Sequence, residues 1–145
     1  MKDPIFRKEN ILLFEPYDGV ETISSILENI GFEKFGSNEA KNAGLDTIKS
    51  LLKHDLIEVV HWGKYHDILK KLRLTNEQAL LHIENVWFEG ADFADFASMP
   101  IFKYKDWYIR SLENQGLTKT TDWKTFFTNK IVDIESWINK NSPMK

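Results

Sequence analysis

Apolar residues recur at helical spacing in several separate stretches of the chain, and this pattern restricts the fold more than any other feature. Side chains three or four positions apart lie on one face of an α-helix. The first such stripe consists of Val20, Ile23, Ile26, Leu27 and Ile30. Asp18 is a suitable N-cap for this helix, and Gly31 suits the left-handed position that ends it. Comparable stripes predict further helices over residues 37–54, 75–90 and 106–116, and from residue 121 or 122 towards the C-terminus.

The clearest helix start is the segment Thr75-Asn76-Glu77-Gln78, which matches the capping-box motif. In a capping box the Thr75 hydroxyl accepts a bond from one backbone N–H, and the Gln78 side chain accepts a bond from another. Gly44 lies inside the preceding predicted helix, where glycine costs about 1 kcal/mol relative to alanine. The sequence therefore predicts either a break in that helix or a close approach of another element at Gly44.

The β-branched run within residues 55–62 is typical of a strand. Shorter apolar runs at residues 11–14 and 101–104 are candidates for further strands. One domain is the usual organisation for a chain of 145 residues that is 42% hydrophobic. We therefore predict a single domain over residues 1–145 with a mainly α, α+β fold. Two to four short strands should form a small sheet or wing around residues 56–61, and additional helices should follow at the C-terminal end.

The chain contains no cysteine, which excludes disulfides, thiolate nucleophiles and zinc sites built from cysteine. The first residues, Met1-Lys2-Asp3-Pro4, lack the apolar run of a signal peptide. No stretch reaches the roughly 18 apolar residues that a membrane span needs. These features predict a cytoplasmic protein without a membrane segment.

The common catalytic and metal-binding motifs do not occur in the sequence. The histidines are His54, His61, His66 and His82. Their spacing suits no pair of metal ligands on one helical turn. There is no HExxH, GxSxG, Walker A or GxGxxG motif. We therefore predict no catalytic residue, no metal and no cofactor, although an enzyme whose site is assembled from scattered residues stays open.

The segment between Arg73 and Lys103 contains no lysine or arginine. Its acids are Glu77, Glu84, Glu89, Asp92 and Asp95, and the rings that interleave with them are Trp87, Phe88, Phe93 and Phe96. Carboxylates steer the encounter with a basic partner, and aromatic rings anchor it. The residues that we predict to bind a basic protein are Glu84, Trp87, Phe88, Glu89, Asp92, Phe93 and Asp95. The alternative is that the rings hold a loop against the core while the acids face water.

Two stretches resemble known classes of protein. The predicted helix that ends in Leu51-Leu52-Lys53-His54-Asp55-Leu56-Ile57 and leads straight into a strand resembles a winged-helix core. The next helix, which begins with Leu74-Thr75-Asn76-Glu77-Gln78-Ala79-Leu80 and ends in a tryptophan, resembles small bacterial proteins of uncharacterised or immunity type. These resemblances imply a winged-helix-like core and a protein that neutralises a toxin, often a nuclease, by covering its basic active site.

Charge distinguishes the two main functional hypotheses. The chain has a net charge of −3. Within residues 37–55 the charged side chains are Lys41, Lys49 and Lys53 against Glu39, Asp46 and Asp55. A helix that reads DNA is normally basic, and this one is not. Our leading hypothesis is therefore a non-enzymatic, antitoxin-like immunity protein that binds a basic protein toxin. The alternative is a winged-helix-like DNA-binding regulator.

Overall fold

The computed structural model describes residues 3–143. Its α-helices are α1 (Ile23–Asn29), α2 (Asn38–Lys53), α3 (His66–Leu69), α4 (Asn76–Val86), α5 (Asp106–Asn114), α6 (Trp123–Phe126) and α7 (Ile134–Asn141). Its strands are β1 (Ile57–His61) and β2 (Ile101–Tyr104). Short 3-10 segments cover Pro4–Phe6, Lys8–Phe14, Gly63–Tyr65 and Asp95–Ser98, and a π-helical turn covers Phe127–Ile131. The fold is mainly α with a small β element, which confirms the predicted α+β class.

Side chains that accept backbone N–H groups fix the helix starts. The Ser37 hydroxyl accepts such a bond at 3.0 Å and begins α2. Thr75 and Gln78 form both bonds of the predicted capping box of α4, at 3.1 and 2.9 Å. The prediction that Asp18 caps α1 is wrong, because the helix begins further along the chain, where the Thr22 hydroxyl accepts a backbone N–H at 3.0 Å.

The end of α2 is closed by a non-glycine residue in the left-handed region, Asp55 (φ 57°). The N–H groups of Asp55 and Leu56 bond carbonyls in the last turn of α2 at 3.0 Å, which is the Schellman pattern. Lys105 forms an ion pair with the Asp55 carboxylate, and Trp107 Nε1 donates to the Asp55 carbonyl at 2.7 Å. α1 ends in the same pattern at Gly31, as predicted. The contacts at Asp55 hold the end of α2 against the start of α5.

β1 and β2 pair in antiparallel orientation, with Ile57 opposite Tyr104 and Val59 opposite Phe102. The register shifts between Val59 and His61. Both strands were predicted, and the direct passage from α2 into β1 was predicted as well. The partner of β1 is not a neighbouring hairpin strand, however, because residues 62–100 lie between the two strands and contain α3 and α4. This connection also carries the predicted binding residues.

The prediction of a strand at residues 11–14 is wrong, because these residues lie in the 3-10 segment Lys8–Phe14. Tyr104 donates its hydroxyl hydrogen to the Leu13 carbonyl and Tyr108 donates to the Phe14 carbonyl, both at 2.5 Å. Burial raises the pKa of both tyrosines well above the usual value. The two tyrosine hydroxyls thus bond backbone carbonyls that a neighbouring strand would bond in a sheet. A run of four apolar residues is too short for its periodicity to distinguish the two outcomes.

α2 packs against both α1 and α4 and supplies much of the core. Its fully or nearly fully buried apolar side chains are Ala40, Ile48, Leu51 and Leu52. Gly44 faces Trp87, and a β-carbon at Gly44 would lie 2.5 Å from Trp87 Cη2 and 3.0 Å from Leu27 Cδ2. Of the two predicted roles of Gly44, the structure shows the close approach, and α2 continues through this position without a break.

The predicted last helix is divided into two helices. After α6 and the π-helical turn, the chain reverses at Val132 (φ 66°, ψ −60°), where Asp133 N donates to the Ile131 carbonyl at 2.8 Å. This is a γ-turn of the strained type with positive φ. Asp133 then caps α7. The buried apolar residues on the two sides of the turn, which complete the core as predicted, are Trp123, Phe126, Ile131, Ile134, Trp137 and Ile138.

Replacing Val132 by glycine is expected to stabilise the protein by about 1 kcal/mol, because strain of this kind costs about 1–3 kcal/mol. Ordering a glycine costs about 0.5–1 kcal/mol, which offsets part of the gain. The Val132 side chain is 72% exposed, so little packing is lost. Urea unfolding of both proteins measures the difference. Val132→Ala is the control, since alanine keeps the β-carbon and the strain. A less stable glycine variant would contradict the expected relief of strain.

Candidate protein-binding surface

The predicted binding residues lie at the end of α4 and on the loop that leads to the Asp95–Ser98 turn. On α4 the exposed side chains of Glu77, Leu81 and Glu84 are three or four positions apart, and so form one row. The chain leaves the helix at Trp87 (φ −84°, ψ 90°). The side chains that follow are therefore placed by the loop and not by the helix.

The loop separates its aromatic residues into buried and exposed ones. Phe88 and Phe93 are 53% and 68% exposed, as a partner-binding role requires. Trp87 is only 1% exposed, so its predicted role as an anchor for a partner is wrong. It lies four positions after the buried Ile83 and packs edge-on against Phe96, with ring centroids 5.5 Å apart. Two rings of the segment therefore fix the loop to the core, and two face solvent, where they are accessible to a partner.

We use the name acidic surface for the six predicted residues that remain accessible: Glu84, Phe88, Glu89, Asp92, Phe93 and Asp95. Asp95 is half-buried, and the others are exposed. The ion pairs among residues 3–143 involve Asp3, Asp55, Asp67 and Asp106, and none involves a carboxylate of the acidic surface. No lysine, arginine or histidine of the described residues therefore lies at ion-pair distance from these carboxylates.

Asp92 and Asp95 also shape the loop. Asp95 Oδ2 accepts from the backbone N–H of Asp92 at 2.9 Å, and Asp92 Oδ1 accepts from that of Phe93 at 2.8 Å. The same turn is closed by a bond of 2.8 Å from Asp95 N to the Asp92 carbonyl. Short acidic side chains commonly fix turns in this way. Asp92 and Asp95 thus hold the backbone that displays Phe93. Among the described residues, no ion pair engages the side chains of Glu84 and Glu89.

Exposed apolar side chains are concentrated near the acidic surface in sequence. Among the described residues, the large exposed ones at positions 60–93 are Val60, Tyr65, Ile68, Leu72, Leu81, Phe88 and Phe93. Outside that range they are Leu12 and Val132. Sequence reasoning missed the members before Phe88, because short apolar stretches next to lysines give no clear periodicity. Concentrated apolar exposure is a property of interaction sites.

The same part of the chain brings two histidines together and packs a third against the turn between them. Gly63 reverses the chain after β1, so that the rings of His61 and His66 stack with centroids 3.9 Å apart and an interplanar angle of 8°. His82 of α4 meets Trp62 and Tyr65 edge-on, at 5.5 and 5.4 Å. The spacing of five between His61 and His66 excludes a pair of ligands on one helical turn, but it does not exclude contact across the reversal at Gly63.

Within the part of the chain that the structure describes, no group of three or more histidine or acidic side chains is arranged to hold a metal ion. No helix among these residues has both the length and the apolar character to cross a membrane. We find no match to the chain among protein-family models, curated proteins or solved structures. The functional assignment therefore starts from the chemistry of the acidic surface.

Proposed function

We propose that this protein is a non-enzymatic binding module of the toxin-immunity type, which neutralises a basic protein toxin such as a nuclease by covering its active site. The observation that carries the proposal is the pair of exposed rings, Phe88 and Phe93, among carboxylates that form no ion pair with any described residue. A partner that brings lysines or arginines and an apolar contact would pair with the carboxylates and cover the rings.

Carboxylates and rings are expected to contribute in different ways. Exposed charges act mainly on the association rate, and salt screens them beyond about 10 Å at 0.1 M ionic strength. A ring that enters a pocket of the partner can contribute about 2 kcal/mol or more and acts mainly on the dissociation rate. The proposal therefore predicts fast association that slows with added salt, together with slow dissociation that depends little on salt.

The DNA-binding alternative has no comparable support. α2 packs against α1, α4 and β1, which cover part of its surface. Its exposed charged side chains are Glu39, Asp46, Lys49 and Lys53, an even mixture of signs. Phosphate binding needs an excess of cations, so we do not propose this function.

Site-specific photo-crosslinking can identify the partner. A benzophenone amino acid in place of Phe93, in cells that naturally contain the protein, should capture one basic protein. The matched control carries the same group in place of Val132, whose exposure of 72% is close to the 68% of Phe93. Capture of the same protein from both positions, or of an acidic protein from Phe93, would contradict the proposal.

Charge reversal at Glu84 and Glu89 is then expected to weaken binding of the captured protein by about tenfold or more. These two acids are chosen because Asp92 and Asp95 also hold the loop. The control is Glu9→Lys with Asp18→Lys, which changes the net charge equally at two exposed acids outside the acidic surface. Thermal unfolding should be nearly unchanged in both variants. Equal loss of affinity in the two would indicate a general charge effect and not a docking site.

A further inference from the structure

Two hydrogen bonds in the turn after β1 require unprotonated imidazole nitrogens. Trp62 N donates to His66 Nδ1 at 3.1 Å, and Gly63 N donates to His61 Nδ1 at 3.0 Å. A neutral ring can accept at Nδ1, but a protonated ring carries hydrogen on both nitrogens. Protonation would therefore place the N–H of the ring opposite the backbone N–H at each of these contacts, so that neither group has an acceptor there. It would also place two positive rings in a stack with centroids 3.9 Å apart.

His82 disfavours protonation for a different reason. Its Nε2 is buried and has no hydrogen-bond partner among the described residues. Burial lowers the pKa of His82 below its usual value of 6.5. A histidine whose pKa is lower in the folded state stabilises the fold above the pKa of the unfolded state, and that contribution is lost as the pH falls. His82 holds Trp62 and Tyr65, which belong to the same turn.

The charged and titratable groups around these rings do not compensate for added protons. These groups lie on the elements that carry the rings or adjoin them. The turn and α3 contribute Lys64, Tyr65, Asp67 and Lys70, and the sheet contributes Glu58 and Lys103. α4 contributes Glu77 and Glu84, and the 3-10 turn contributes Asp95. Within residues 3–143 none of the carboxylates forms an ion pair with His61, His66 or His82, and Asp67 pairs with Lys70 at 3.5 Å. Only His54 lies beside a carboxylate, with Nε2 3.4 Å from Asp3 Oδ2.

The turn that contains His61 and His66 is also in direct contact with the 3-10 turn that ends the loop of the acidic surface. Gly63 has a φ of 68°, and a β-carbon there would lie only 2.0 Å from the Ser98 carbonyl oxygen. Ser98 ends the 3-10 turn that begins at Asp95. His82 lies on α4 two positions before Glu84. The turn thus touches the two elements between which the acidic surface is carried.

We propose that residues 61–66, which we call the histidine turn, form an acid-sensitive latch: protonation of His61, His66 and His82 releases the turn from α4 and from the Asp95–Ser98 segment. The release loosens the acidic surface and weakens its hold on a basic partner. This second step depends on the proposed binding function, whereas the latch itself does not.

Hydrogen exchange of the full chain tests the latch without any partner. Protection is compared at about pH 7.5 and about pH 5.5, on either side of the usual histidine pKa, after correction for the intrinsic pH dependence of exchange. We expect protection of residues 61–66 to fall by about tenfold or more at the lower pH, as in local opening. α5 serves as the internal control and should keep its protection. Equal protection of the histidine turn at both values would overturn the proposal.

Asparagine variants separate the histidines from the carboxylates that also titrate at low pH. The Oδ1 atom of asparagine can accept the bonds now made by Nδ1 but takes up no proton. His61→Asn with His66→Asn should therefore abolish most of the loss of protection. His54→Asn is the matched control and should leave the loss unchanged. A loss of the same size in the double variant would overturn the proposal.

Wild-type measurements keep the test independent of whether the variants fold. The amide NMR signals of Trp62 and Gly63 should shift together with protonation of the His66 and His61 rings, since each amide donates to one of them. Amide signals that do not follow the histidine titration would also refute the latch.

The partner captured through position 93 should bind at least about tenfold more weakly at about pH 5.5 than at about pH 7.5. If the turn opens at low pH but the affinity for the partner does not change, the regulatory step alone is refuted. If no basic partner is captured at neutral pH, the proposed function is refuted, whereas the hydrogen-exchange result for the latch still stands.

Discussion

Removal of residues 121–145 is expected to abolish cooperative folding. The described part of this segment buries six large apolar side chains, each 7% exposed or less: Trp123, Phe126, Ile131, Ile134, Trp137 and Ile138. Burial of one such side chain contributes roughly 1.5–3 kcal/mol. The net stability of a domain is only about 5–15 kcal/mol, so the combined loss is as large as the stability that is available.

The truncation would also expose surfaces elsewhere in the core. Trp123 Nε1 donates to the Ile11 carbonyl at 2.6 Å, and Trp137 Nε1 donates to Gln115 Oε1 at 2.8 Å. The Trp137 ring meets Tyr108 of α5 edge-on at 5.6 Å. Near-ultraviolet circular dichroism and urea unfolding measure the outcome, with a chain that ends at Pro143 as the control. A truncated chain that unfolds in one sharp transition would show that α6 and α7 are an appendage.

Trp87→Ala is expected to lower the free energy of unfolding by about 3–5 kcal/mol, as for other buried tryptophans. The Trp87 ring covers Gly44 on one side and packs against Phe96 on another. Removing it would leave a cavity between α2, α4 and the Asp95–Ser98 turn. Urea unfolding at equilibrium gives the change directly, and an effect below about 1 kcal/mol would mean that the surrounding residues can close the space.

Gly44→Ala tests the same contact from the opposite side. Its β-carbon would lie 2.5 Å from Trp87 Cη2, and overpacking of this kind costs about 1–3 kcal/mol despite the better helix propensity of alanine. The double variant should lose less stability than the sum of the single ones, by about 0.5–3 kcal/mol, because the cavity accommodates the added methyl group. Asn42→Ala is the control, since this exposed position in α2 reports propensity alone. Additive losses would show that Gly44 and Trp87 are not coupled.

Features that depend on neighbouring residues could be predicted from the sequence. The caps at Ser37 and Thr75 need only a side chain and a backbone group three residues away, and both are present. The end of α1 at Gly31 is of the same kind. The two strands were also recognised, because β-branched and aromatic residues mark them. What these signals could not give is the pairing of β1 with β2, since the partner lies beyond two helices.

The errors have a common cause in contacts with distant residues. Residues 11–14 became 3-10 helix because two tyrosines far along the chain donate to their carbonyls. The break before α7 depends on Val132, a β-branched residue that rarely takes positive φ and so gave no warning. In both places the backbone conformation differs from the one that the intrinsic propensity of the residues favours.

Only part of the candidate surface could be predicted from the sequence. Its carboxylates and the two exposed phenylalanines are where the charge pattern had placed them. Trp87 belonged to the buried stripe that includes Ile83, and the spacing of four between them could have shown this. The stacked histidines could not be found from spacing alone, because their meeting depends on the reversal at Gly63.

The pairing of β1 with β2 has a consequence for the order of folding events. It closes a connection formed by residues 62–100, and the entropy of that closure is lost before the strand contacts are gained. α4 can form early, since its capping box is local. The loop that displays Phe88 and Phe93 lies inside the connection, so we expect it to take its shape only when the strands have met. The rate of strand pairing would then set the delay between synthesis of the chain and the first moment at which the loop can bind the partner that we propose.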